Sequence, residues 1–160
     1  MMTATGLTIR EFAAGDEVAF RELNEEWIQR YFAMEPKDEE SLADPWGSII
    51  QPGGRIFLAH QDEKAVGCCA LVVIGPGEFE VAKMAVTESA RRGGIGRRLL
   101  ETAITAARAI GARRLYLETN HKLEPAIRLY EAVGFRHIPK NRVAPSPYAR
   151  SDVSMEMYLL

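Results

Sequence analysis

Between Arg91 and Arg98 the chain reads Arg-Arg-Gly-Gly-Ile-Gly-Arg-Arg, placing three glycines and four arginines within one short run. The run opens a segment in which Ile95, Leu99, Leu100, Ala103, Ile104, Ala107 and Ile110 recur at helical spacing and Gly111 closes the pattern, so it occupies a helix N-terminus. A helix start has about four N–H groups without an internal partner, usually met by a Ser, Thr, Asp or Asn cap. Here the nearest such side chain, Ser89, lies too far back, and Arg97 and Arg98 carry the wrong sign for the helix dipole. An anion resolves both anomalies: glycine lets backbone N–H groups close on it, and arginines screen it. Solvated arginines on a glycine-relaxed turn are the plain alternative. The combination of a preceding strand, an uncapped helix and four arginines favours the anion site.

Spacing narrows the anion. The dinucleotide fingerprint is met at Gly94 and Gly96 but fails at Leu99, and no Gly-Lys-Ser/Thr follows for a P-loop. His60, His121 and His137 show no metal-ligand spacing, so no metal site is expected, although His121 follows a strand end and is a candidate base. Cys68 and Cys69 are adjacent and point to opposite faces of a strand, which predicts reduced core residues.

The elements around this loop follow from periodicity. Leu7, Ile9 and Phe12 read as a first strand, and Asp16 as the N-cap of a helix bearing Val18, Ala19, Leu23, Trp27, Ile28, Tyr31 and Phe32 on one face and stopped by Pro36. Residues 35 to 50 read as a short acidic helix ended by Asp44-Pro45. Arg55 to His60, Ala65 to Ile74 and Glu78 to Val86 are strand-like runs joined by short turns, predicting an antiparallel meander. Beyond the glycine loop come a strand at Arg114 to Glu118, a helix at Pro125 to Val133, a strand at Phe135 to Ile138, a loop at Asn141 to Ser151 and a final strand at Val153 to Leu160. This order argues a mixed α+β domain.

At 160 residues, with 47% apolar and 26% charged composition, one globular domain spanning 1–160 is expected. The longest apolar run, Ala65 to Ile74, falls short of the ~18 residues of a membrane span, and no secretory signal opens the chain, so a cytoplasmic protein with no membrane partner is expected. The net charge of −2 conceals a balance of −9 over residues 1–80 and +7 over 81–160. That asymmetry suggests an anionic ligand on one half and a cationic one on the other. Aromatics are scarce between Arg91 and Arg114, which argues against nucleic acid.

What does fit the loop is R-x-x-G-x-G, at Arg91, Gly94 and Gly96. With Ala126-Ile127-Arg128-Leu129-Tyr130-Glu131-Ala132-Val133-Gly134-Phe135, matching A-x-x-L-Y-x-x-x-G-F, the chain resembles the GNAT superfamily of N-acetyltransferases over nearly its whole length. The resemblance implies a mostly antiparallel sheet of about seven strands and four helices, with a splay between the fourth and fifth strands. It implies acetyl-CoA as co-substrate, gripped by Arg91, Arg92, Gly93, Gly94, Ile95, Gly96 and Arg97, with the Met84 N–H at the thioester carbonyl and the Val86 backbone along pantetheine. Leu123 stands where the family often has Asn, so Asn120 is the candidate replacement for that contact. Tyr130 is implied as the general acid for the leaving thiolate, a role its ordinary pKa near 10 suits. Glu80 occupies a position where some members carry a catalytic base, with water relays the alternative, and Glu78 shares its face. The acceptor side is expected from Trp27, Tyr31, Glu35, Tyr148 and Arg150, with Asp38, Asp44 and Arg142 nearby. An acidic and aromatic wall suits a small primary amine, while Arg142 or Arg150 suits a carboxylate. Acetylation of a protein N-terminus or lysine is the alternative within the class, and a non-catalytic acyl-CoA module the alternative outside it. A homodimer is an allowed assembly.

Overall fold

The computed structural model describes residues 6–159. The central apolar runs pair as a meander: β1 (Leu7–Glu11), β2 (Arg55–Gln61), β3 (Lys64–Gly75) and β4 (Glu78–Val86) are antiparallel neighbours in sequence order. The sheet continues through β5 (Arg114–Thr119), with β6 (Arg136–His137) and β7 (Val153–Tyr158) completing the order β1-β2-β3-β4-β5-β7-β6. Between β3 and β4 lies the glycine turn; between β4 and β5 the chain crosses over through a helix, and these two strands are parallel.

Strand alternation sends β2 and β3 side chains into two cores. Ile56, Leu58, Cys68 and Ala70 face one side, with Phe20 and Leu23 of α1 (Glu17–Tyr31) and Leu42 of α2 (Pro36–Ala43). Phe57, Ala59, Cys69 and Leu71 face the other, against Leu99, Leu100 and Ala103 of α3 (Ile95–Ala109) and Tyr130 of α4 (Glu124–Val133). The two cysteines therefore sit on opposite faces, both buried and free, as their adjacency predicts. Burial raises both thiols, Cys68 to about 12 and Cys69 beyond, so neither is a nucleophile. Gly67 marks the closest helix contact: a Cβ there would meet the Leu99 side chain at 2.9 Å.

Three expectations change. Residues 35 to 50 are not one helix. Pro36 starts α2 instead of merely ending α1, and after Asp44 a π-helical turn, Trp46–Ile50, follows. The Asp44 side chain accepts from the Gly47 N–H, which lets the chain turn again past Pro45. Asp16 precedes α1 but makes no side-chain cap, because its carboxylate accepts from Arg10 and the Ala13 N–H instead. The strand expected over Phe135 to Ile138 pairs only at Arg136–His137, since Phe135 turns into the core against Tyr130. No helix among the described residues is long and apolar enough to cross a membrane.

Candidate active site

The sheet opens at one place. β4 and β5 pair at Glu78↔Arg114, Phe79↔Leu115 and Glu80↔Tyr116, and no pairing continues toward Val86 or Thr119. Glu80 thus stands at the fork. Further along β4 the register to β3 slips: Cys68 faces Ala85 and Ala70 faces Ala82, leaving Cys69 opposite both Lys83 and Met84. Lys83 takes the left-handed φ of 53° there. A β-bulge of this kind re-aims side chains beside functional sites. Its carbonyl accepts from the Cys68 thiol at 3.2 Å, and the Asn24 amide donates to that sulfur from α1.

On the α3 side of the fork the helix begins at Gly94, with φ of 72° and no side-chain cap, as the sequence predicts. A short 3-10 turn, Glu88–Gly93, leads into it. A Cβ on Gly96 would lie 3.8 to 3.9 Å from side-chain atoms of Met84, Val86 and Leu129. The helix start, the open edge of β4 and α4 therefore converge on one point. The donor elements are arranged to take an elongated anionic ligand: phosphates at the α3 N–H groups, a chain along Val86 and Met84. Arg97 pairs with Glu101 one turn on. The side chains of Arg91 and Arg92 lie outside the described residues.

On the other side a cleft of about 240 Å³ is lined by α1, α2, β4 and β5 residues and by the 147–151 loop, among them Trp27, Glu80, Lys83, Met84, Glu118, Asn120, Tyr148 and Arg150. Met84 borders both halves. Burial, reinforced by the nearby Glu118 charge, pushes the Glu80 carboxyl up to about 7 despite the opposing pull of Lys83 and Lys37. Glu118 itself accepts from the Tyr116 and Ser146 hydroxyls at 2.8 and 2.6 Å. A carboxylate poised near neutrality at a cleft wall is fitted to take a proton from an ammonium.

The expected acceptor residues divide. Trp27, Tyr148 and Arg150 line the cleft. Tyr31 and Glu35 do not: Tyr31 packs its ring with Trp27 and Phe32, and Glu35 accepts from the Ala149 N–H and from Arg150. Asp38, expected on an exposed acidic wall, is fully buried, and its two oxygens take both terminal nitrogens of Arg150 at 2.8 and 2.6 Å. The wall is therefore already neutralised from within, and its acids tie α2 to the 147–151 loop. Asn120 lines the cleft, but its amide donates to the Arg150 carbonyl and accepts from the Lys122 N–H, which commits its side chain to holding that loop. Tyr130 lies on the opposite face, 9% exposed and edge-on to Phe135, and burial pushes its hydroxyl well above the ordinary tyrosine value. His121 pairs with Asp152 and does not line the cleft. Two cleft residues escape sequence reasoning, Lys83 and Glu118; a charged residue inside the otherwise apolar end of β4 was the available signal for the first. Among the described residues no cluster of His, Cys, Asp and Glu is placed to hold a metal ion.

Residues 20–135 match the model of the Acetyltransferase (GNAT) family. The IAA acetyltransferase of Azospirillum brasilense is 34% identical over 82% of this chain and 84% of its own. A GNAT-family acetyltransferase of Staphylococcus aureus Mu50 shares the fold at a TM-score of 0.88 and 21% identity, over 96% of this chain and 99% of the other. A phosphinothricin acetyltransferase of Sinorhizobium meliloti, solved in complex with AcCoA, does so at 0.78 and 20% identity, over 96% of this chain and 88% of the other. With the family match spanning well over half its length, the chain belongs to the acetyltransferase (GNAT) family.

Proposed function

We propose that the chain transfers an acetyl group from acetyl-CoA, the family's donor, to the amine of a small molecule by direct attack within a ternary complex. The observation that carries this reading is the position of Met84, shared between the uncapped α3 start and the cleft that holds Glu80. The α3 N–H groups and glycines take the pyrophosphate, the Met84 N–H polarises the thioester carbonyl, and Glu80 accepts the ammonium proton directly or through water. The amine then attacks, and the thiolate leaves toward the α4 face, where Tyr130 is the proton donor. Burial keeps that hydroxyl protonated, which suits an acid. The size of the cleft and the loop tied across it by Arg150 and Asp38 support a small acceptor over a polypeptide. An acceptor screen with acetyl-CoA, following free thiol release and product mass, tests the reading. Thiol release dependent on a small amine is the expected result, and turnover confined to peptide N-termini or protein lysines would overturn the small-molecule assignment.

A further inference from the structure

We propose that the acceptor carries a carboxylate beside the amine that is acetylated, as an amino acid does, and that Lys83 reads that carboxylate. The proposal rests on the reading above that this cleft is the acceptor site.

The cleft has two poles. Glu80, with Glu118 beside it, forms the anionic one; Lys83, with Arg150 beyond it, forms the cationic one. The charges of Glu80 and Lys83 act on each other, so the poles are close. The two cations differ in what they can offer a ligand. Arg150 has both terminal nitrogens on Asp38, a further contact to Glu35, and its guanidinium stacked 4.5 Å from the Tyr148 ring centroid. It is a structural tie. Lys83 is held more loosely: its ammonium donates to the Tyr148 hydroxyl at 3.1 Å and lies 3.6 Å from an Asp38 oxygen that already accepts from Arg150 at 2.6 Å. An ammonium has three donors, so this one retains capacity. Its side chain is only 9% exposed, and loss of solvation lowers its pKa in spite of Asp38. The site thus holds a buried cation whose partners undercompensate it, on a strained residue of the bulge next to Met84.

A carboxylate entering the cleft would complete that shell with a charge-assisted hydrogen bond, while the attached amine faces Glu80. Trp27, Ile28 and Phe32 leave an apolar wall for the rest of the molecule. A polycationic acceptor finds no such match, because the acids that would have drawn it, Glu35 and Asp38, are spent on Arg150 and the loop.

The test compares matched pairs of acceptors, each an L-amino acid against its decarboxylated amine and its carboxamide, by kcat/KM for thiol release with confirmation of the acetylated product. The carboxylate member should be preferred by roughly 10- to 100-fold, the worth of one hydrogen bond to a charged group. Lys83→Met should bring that ratio toward one through the KM of the carboxylate member, and Lys83→Arg should restore part of it. Equal or better turnover of the decarboxylated amine overturns the carboxylate reading and leaves the acetyltransferase one standing. A loss in Lys83→Met shared equally by all members of a pair assigns Lys83 a structural role and overturns its part. Absence of thiol release with every member, while acetyl-CoA still binds by calorimetry, overturns both readings.

Discussion

Glu80 titrates near neutrality because its burial at the fork removes water from the charged form and Glu118 adds like-charge repulsion, against a weaker pull from Lys83 and Lys37. The rate of a base-assisted transfer should therefore rise with pH through about 7, and Glu80→Gln should flatten that acidic limb of the kcat/KM profile. A limb that survives the substitution would give the titration to another group. The same shift bears on stability. A carboxyl raised from an ordinary 4.5 to about 7 favours the folded state below pH 4.5 and loses that contribution as pH climbs through 7. Glu80→Gln should accordingly stabilise the protein at pH 8, by on the order of 2–3 kcal/mol, and change little at pH 4. Denaturant melts at the two pH values check the sign. Tyr130→Phe separates chemistry from packing at the opposite face: with the ring kept against Phe135, kcat should fall by about 10²-fold with little change in stability. An unchanged kcat on a genuine acceptor returns Tyr130 to the core.

At the level of elements, two junctions decide the site. The first is the start of α3, where Gly94 sits at φ 72° with open space around its would-be Cβ. Gly94→Ala costs only the backbone strain, about 1–2 kcal/mol, whereas Gly94→Glu adds a carboxylate where phosphates bind. Calorimetry should show acetyl-CoA binding retained in the first variant and lost in the second. The second junction is the tie of α2 to the 147–151 loop. Burial works against the Asp38 charge, but the Arg150 guanidinium, the Glu35 N–H and Lys83 outweigh it and hold the carboxyl below its usual range. Its stabilisation is present above the ordinary carboxylate value and lost as pH falls through the depressed one. Asp38→Asn leaves Arg150 uncompensated, and a loss of roughly 3–5 kcal/mol is expected in urea melts. The first junction was legible in sequence because its signals are local: glycines, arginines and a missing cap within a few residues. The second was not. Asp38 and Arg150 are separated by 112 positions, and nothing in their neighbourhoods says that they meet. The meander and α3 were read from period alone. The Lys83 bulge stayed hidden, because a register slip depends on the partner strand.

Across the whole molecule, the segregation of charge acquires a different meaning from the one its sequence suggests. Acids of the first half meet bases of the second: Glu35 and Asp38 meet Arg150, Asp38 meets Lys83, and Glu78 meets Arg114. Much of the asymmetry thus fastens the two ends of the chain to each other, and the remaining positive character near α3 is left for an anion. This matters because the fork makes the sheet divisible. Only three residue pairs join β4 to β5, and beyond them β5, β7, β6 and α4 could in principle open away. One core argues that they do not: Leu71 and Leu99 from one side of the fork share a cluster with Leu115, Leu117, Phe135 and Met155 from the other. The chain should therefore unfold in a single cooperative transition, with calorimetric and van't Hoff enthalpies equal. Acetyl-CoA, gripped on both sides of the opening, binds only the closed arrangement. At 100 times its Kd it should add about 2.7 kcal/mol, and at about 2–4 °C per kcal/mol for a chain of this size raise the midpoint by roughly 5–10 °C. Gly94→Glu should abolish that rise. Two resolved transitions, with acetyl-CoA shifting only one, would show instead that the fork divides the protein into separately stable parts.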